Sequence, residues 1–151
     1  MSNHRSLAQN LALAFGVAFL GTGVLGFIPG ITTNVGDMHF AGNDSPSELL
    51  GIFQVSVLHN IVHLLFGIAG IALSRSWETA RTYMFASGLI YVGLFLFGAI
   101  LSFRDIDDAN FVPVNDADNL LHLVLAIGLL GGWYVSRTGD EVRTSARTST
   151  S

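Results

Sequence analysis

An all-α membrane protein, a four transmembrane helix bundle built from two parallel two-helix repeats, is the fold class this sequence predicts, and three observations carry it. Half of the 151 residues are hydrophobic, only 12% are charged and the mean hydropathy is +0.54, whereas ordinary soluble domains are about one quarter charged. Four stretches without Asp, Glu, Lys or Arg, Leu7 to Ile28, Leu49 to Ser74, Thr82 to Phe103 and Asn119 to Ser136, each come close to the ~20 residues a helix needs to cross ~30 Å of hydrocarbon. The first and second halves also align with each other, glycine on glycine and histidine on histidine. The domain is therefore expected over residues 1–137, with spans at about 7–28, 48–74, 81–103 and 117–136, followed by a disordered cytoplasmic tail over 138–151.

The first span follows His4 and Arg5, as a secretory signal would, but its apolar run is too long and no A-x-A cleavage site follows, so it reads as a retained helix. Pro29-Gly30 ends it. For the second, Ser45-Pro46-Ser47-Glu48 offers a capping serine, a proline at the first helical position and a glutamate three residues after the cap, which starts helix 2 near Pro46. A helix from there to Ser74 would measure roughly 43 Å, longer than the hydrocarbon core, so that Leu49, Leu50, Ile52 and Phe53 would project outward or lie along the interface. The third span is bracketed by Arg81 and Arg104. The fourth begins at Asn115-Asp116-Ala117-Asp118, a second capping sequence.

Orientation follows from the charges, because Arg-rich short loops stay cytoplasmic. Arg5, Arg75, Arg81, Arg137, Arg143 and Arg147 fall on one side and only Arg104 on the other, where eight of the eleven acids gather. Both termini are thus expected in the cytoplasm, with the protein in the cell membrane. The tail ending RTSARTSTS lacks apolar anchors and reads as disordered. With no cysteine, neither a disulfide framework nor a thiolate metal site is available. The net charge of −4 and the absence of a long basic run speak against nucleic acid as a partner. The lipid bilayer is the expected partner, and a homo-oligomer or a larger membrane complex stays open.

The repeat pairs helix 1 with helix 3 and helix 2 with helix 4. In the first alignment Gly16, Gly21 and Gly26 meet Gly88, Gly93 and Gly98, and Phe19 meets Tyr91; in the second Asn60, His63, Leu64 and Ile68 meet Asn119, His122, Leu123 and Ile127. Each unit has two spans, so both copies point the same way and their pseudo-two-fold axis lies along the membrane normal. Helices 2 and 4 would then stand diagonally across the bundle, with the matched histidines facing the axis.

Those histidines belong to two polar stripes. On helix 2, Ser56, His59 or Asn60, His63, Gly67 and Gly70 share a face; on helix 4, Asn115, Asp118 or Asn119, His122 and Ala126 do so. One reading is an interhelical cluster near the outer face, led by Asn60 and Asn119, whose hydrogen bonds fix packing or a partner surface. Asp118 needs no ligand role in that reading, since an acid at the third helical position stabilises exposed amides. Another is a metal site for Zn or non-haem Fe, because His59 with His63 and Asp118 with His122 are matched i, i+4 pairs. A third is a haem held between His63 and His122 as axial ligands, and a fourth a proton relay. Elsewhere, DIDDANFVPVND departs from a calcium loop and reads as solvated. Ala14, Ala18, Thr22 and Gly26 form a small-residue ridge for packing, His39 has no obvious partner, and no G-x-S-x-G, phosphate loop or H-E-x-x-H occurs.

The segments FQVSVLHNIVHLLFGIAG and VNDADNLLHLVLAIGLL resemble those of a family of small four-span membrane proteins, frequent in actinobacteria, catalogued as a domain of unknown function. The resemblance covers about residues 10 to 136 and rests on the paired HNxxH and DNxxH motifs. That family has asparagine-rich lead-ins to both motifs; Gln54 and Ser56 depart from the first. The resemblance implies four spans and supplies no activity. The expected function is that of a non-enzymatic structural or accessory membrane protein, with a metal- or haem-binding protein as the alternative.

Overall fold

A computed structural model describes residues 5–42, 44–104 and 114–148. It is a bundle of four helices, α1 (Leu7–Leu25), α2 (Val57–Leu73), α3 (Trp77–Arg104) and α4 (Asp116–Thr148), with a two-stranded hairpin, β1 (Glu48–Leu49) and β2 (Phe53–Gln54), between α1 and α2. Helices α1, α3 and α4 are long and apolar enough to cross a membrane, and α2 is a shorter apolar helix. Helices α1 and α2 pack tightly as one antiparallel pair, and α3 and α4 as the other. Across the centre α1 touches α3, which leaves α2 and α4 on the outer corners.

The repeat is realised as contacts. A Cβ placed on Gly16 would stand 2.7 Å from the Ile71 nitrogen, and one on Gly88 2.7 Å from the side chain of Leu130, the residue aligned with Ile71. Likewise Gly26 lies against the Asn60 amide, and a Cβ on Gly98 would stand 2.5 Å from the Asn119 side-chain amide. In membrane helices, where lipid is as apolar as leucine, such close approach supplies the packing that hydrophobic burial does not. The Phe19 and Tyr91 rings, aligned between repeats, stack with centroids 5.4 Å apart where α1 meets α3. Of the ridge on helix 1, Gly26 packs inward, while Ala14 and Ala18 are exposed.

Three boundaries differ from expectation. Helix α2 starts at Val57, not near Pro46. The loop before it already satisfies the amides that a helix start leaves open: Val57 N–H donates to the His39 carbonyl (3.1 Å), Leu58 N–H to that of Phe40 (2.8 Å) and His59 N–H to the Ser56 hydroxyl (3.2 Å). Ser56 is therefore the cap. Ser45, the expected one, instead donates its hydroxyl to the Val55 carbonyl at 2.6 Å. At its 17 residues α2 covers roughly 26 Å, short of the hydrocarbon core, and the hairpin occupies the space where the helix would have continued. At the other end of the chain, α4 runs as helix to Thr148, past residue 138 where disorder is expected. Helix α3 begins at Trp77, a turn ahead of the expected 81, with the Ser76 hydroxyl accepting from Thr79 N–H at 3.2 Å; charge in its first turn does not stop a helix that has left the lipid.

His39, expected to lack a partner, lies 3.1 Å from Asp44 on the exposed loop, and that hydrogen bond holds the Asp44 carboxyl below its ordinary value. His4 and residues 105–113 of the acidic loop lie outside the described residues.

The hairpin turns through Leu50 and Gly51, both left-handed at φ 56° and 67°. Non-glycine residues pay about 1–2 kcal/mol there, and Asn-Gly is the pair such primed turns favour. Leu50→Asn is accordingly expected to raise stability by about 1 kcal/mol in a detergent melt; a lower melting temperature would show that the Leu50 side chain contributes more than its backbone costs.

Candidate functional site

The predicted polar residues gather at the end of the bundle where α2 and α4 begin, and the structure sorts them into two groups. The asparagines hold helices together. Asn119, half-buried between α4 and α3, places its amide on the α3 backbone, donating to the Phe95 carbonyl (3.0 Å) and accepting from Ala99 N–H (3.2 Å). Only a glycine at position 98 leaves room for it. Asn60, fully buried, fills the equivalent place against Gly26 and reaches the Met38 sulfur at 3.5 Å.

The other four, His59, His63, Asp118 and His122, all line one pocket of about 170 Å³. Its remaining walls include Leu25 of α1, Leu49, Phe53 and Val55 at the hairpin, and Leu121 and Leu125 of α4. Each polar member has a local reason for its position. His59 and His63 stand one turn apart on α2 and stack in parallel, centroids 4.6 Å apart and planes within 2°. His63 Nδ1 lies 3.1 Å from the His59 carbonyl; a carbonyl can only accept, so Nδ1 carries a proton, and in a neutral ring Nε2 is then the acceptor. His122 packs on Tyr91 at 5.5 Å, is 4% exposed, and its Nδ1 is buried without a partner among the described residues.

Asp118 does most to assemble the site. As the alignment of the repeats requires, it occupies on α4 the place of His59 on α2, and Asn115 that of the capping Ser56. Asn115 Oδ1 accepts from Asp118 N–H at 2.9 Å, while Asp118 Oδ2 accepts from Asn115 N–H at 3.2 Å, the reciprocal cap expected for helix 4. The same oxygen accepts from Gln54 N–H of β2 at 3.0 Å, and Asn115 Nδ2 donates to the Ile52 carbonyl at 2.8 Å. The start of α4 thereby fastens the hairpin over the pocket.

Sharing a pocket is not the same as sharing an ion. Among the described residues no three His, Asp or Glu side chains come together in a group that could hold a metal. The stacked imidazoles show why the i, i+4 spacing does not suffice, since ring lone pairs lie in the ring planes and those of parallel stacked rings do not converge. His63 and His122 are also linked through a chain of rings: His63 to Phe19 at 5.8 Å, Phe19 to Tyr91 and Tyr91 to His122. The pocket also compares with engineered cavities of about 150 Å³ that take up benzene, which is room for one ring and not for a porphyrin. The residues present therefore do not fit haem.

Sequence reasoning missed the hairpin, whose residues make the roof, and assigned no role to Phe19 and Tyr91 although their alignment was visible. Apolar helices carrying a polar pocket at one end make this a small helical membrane protein. Its family is the one described as Domain of unknown function (DUF4383): the match covers residues 9–135, and the chain belongs to that family. No curated protein and no solved structure matches the chain.

Proposed function

We propose that this chain is a non-enzymatic membrane protein of the cell membrane that crosses the bilayer four times, keeps both termini in the cytoplasm, and binds a small molecule in the pocket at its outer end. The observation that carries this reading is the division of the polar cluster. The asparagines are engaged in helix packing, whereas His59, His63, Asp118 and His122 wall a cavity beneath a fastened hairpin. His122 Nδ1, buried without a partner among the described residues, supports the reading, since buried polar groups are ordinarily paired. The orientation is supported by Arg5, Arg75, Arg81 and Arg137 at the opposite end, where Gln9 of α1 donates to the Arg75 carbonyl at 2.7 Å.

Because the chain lacks cysteine, single introduced cysteines report orientation cleanly. Gly36→Cys, on the exposed loop, should react with a membrane-impermeant maleimide in intact cells and Ser145→Cys only after lysis; the reverse pattern would place the pocket inside. Native mass spectrometry of the detergent-extracted wild type beside Leu125→Trp, which fills the pocket, tests the binding. A small extra mass on the wild type alone is expected. Bare-chain mass for both would overturn the ligand reading, and iron or zinc lost with His63→Ala and His122→Ala would replace it with a metal.

A further inference from the structure

We infer that the ligand of this pocket is a small organic cation, a protonated amine carrying one apolar group of about ring size. The inference rests on the pocket reading above and adds the charge and chemistry of what enters.

The polar atoms whose hydrogen-bonding role the structure fixes are acceptors. His63 commits its Nδ1 proton to the His59 carbonyl, so its Nε2 offers a lone pair. Asp118 receives the N–H groups of Gln54 and Asn115 on Oδ2, and among the described residues no donor takes up Oδ1. Thr22, the one hydroxyl in the lining, gives its proton to the Ala18 carbonyl at 3.0 Å and so offers the pocket a lone pair as well. Among the described residues no arginine lines the cavity and the chain has no lysine, so of those residues Asp118 is the one with a fixed charge type. Glu48 of the hairpin, Asp37, Asp44 and Asp116 belong to the same end of the chain's course. A concave site with apolar walls and a single sign of charge concentrates the opposite ion. An ammonium brings three donors and the missing charge, whereas a hydroxyl brings one donor and an anion has the same sign of charge as the Asp118 carboxylate. The rest of the wall is leucine, valine and phenylalanine, which suits an apolar substituent, and about 170 Å³ limits that substituent to about one six-membered ring.

Three probes of one size separate charge from shape: benzylammonium, benzyl alcohol and benzoate, titrated calorimetrically at pH 7 into the full chain in neutral detergent. Leu125→Trp, required to melt as the wild type does, serves to subtract uptake by the micelle. Benzylammonium should bind at least tenfold more tightly than benzyl alcohol, with benzoate weakest, and Asp118→Asn should narrow the tenfold difference to within about threefold. Should Asp118→Asn loosen the hairpin, the comparison of probes on the wild type decides alone. Benzyl alcohol or benzoate binding as tightly as the amine would overturn the cation and leave the pocket standing. No binding by any probe above the Leu125→Trp background would overturn both.

Discussion

Gly67→Ala is expected to be among the most damaging single substitutions in the bundle. A Cβ at that position would stand 2.5 Å from the backbone nitrogen of Leu20 and 2.6 Å from its Cα, distances that real carbon atoms do not adopt. The obstacle is backbone, which no change of rotamer can move, so α1 and α2 must separate along the seam that also carries Gly16 and Gly23. Overpacking of this kind costs typically about 1–3 kcal/mol and occasionally more. Gly21 of α1 and Gly93 of α3 are the controls: both have nothing within 4 Å of an added Cβ, and alanine there should gain up to about 1 kcal/mol from helix propensity. Unfolding titrations of all three variants in mixed detergent would measure the difference. Equal stability of Gly67→Ala and Gly21→Ala would show that α1 and α2 do not meet as closely as described.

Asp118→Ala should have the second large effect, and a more local one. The side chain is 3% exposed and ties two amides of different segments, Gln54 of the hairpin and Asn115 of its own cap. Its removal leaves both donors without that acceptor, at about 1–3 kcal/mol for each that stays buried, and a total loss of about 2–4 kcal/mol is expected. Asp118→Asn keeps an acceptor oxygen and should lose less. Hydrogen exchange gives the sharper readout: amides of residues 45–56 should exchange much faster in Asp118→Ala, while those of α1 beside Gly16 keep their protection. Unchanged exchange in the hairpin would mean that its ladder and loop contacts hold it without α4.

How far the site was legible in the sequence depends on which physical rule each residue obeys. The i, i+3, i+4 stripe of α2 is reproduced residue by residue, since His59, Asn60, His63, Gly67 and Gly70 are its buried positions. The cap at Asn115 and Asp118 was equally readable, because it is closed by neighbours three residues apart. The cap of α2 was not. Ser45-Pro46-Ser47-Glu48 satisfies the same local rule, yet the chain instead uses His39 and Phe40 carbonyls, distant in sequence, to cap a helix that starts eleven residues after Pro46. Two local solutions were available, and a long-range contact selected between them.

The sequence by itself determined the number of apolar helices, the pairing of the two halves and the face each even helix buries, because apolar run length, helical period and repetition are properties of the chain alone. Tertiary structure decided which of these features have partners. Gly16, Gly21 and Gly26 are indistinguishable as letters and match their partners equally well, but only the first and third meet another helix. The six polar residues likewise form one cluster on paper. In space the asparagines lie against glycine backbones and the histidines and Asp118 line a cavity, because the hairpin, which replaces the expected start of α2, stops that helix short and roofs the gap between α2 and α4.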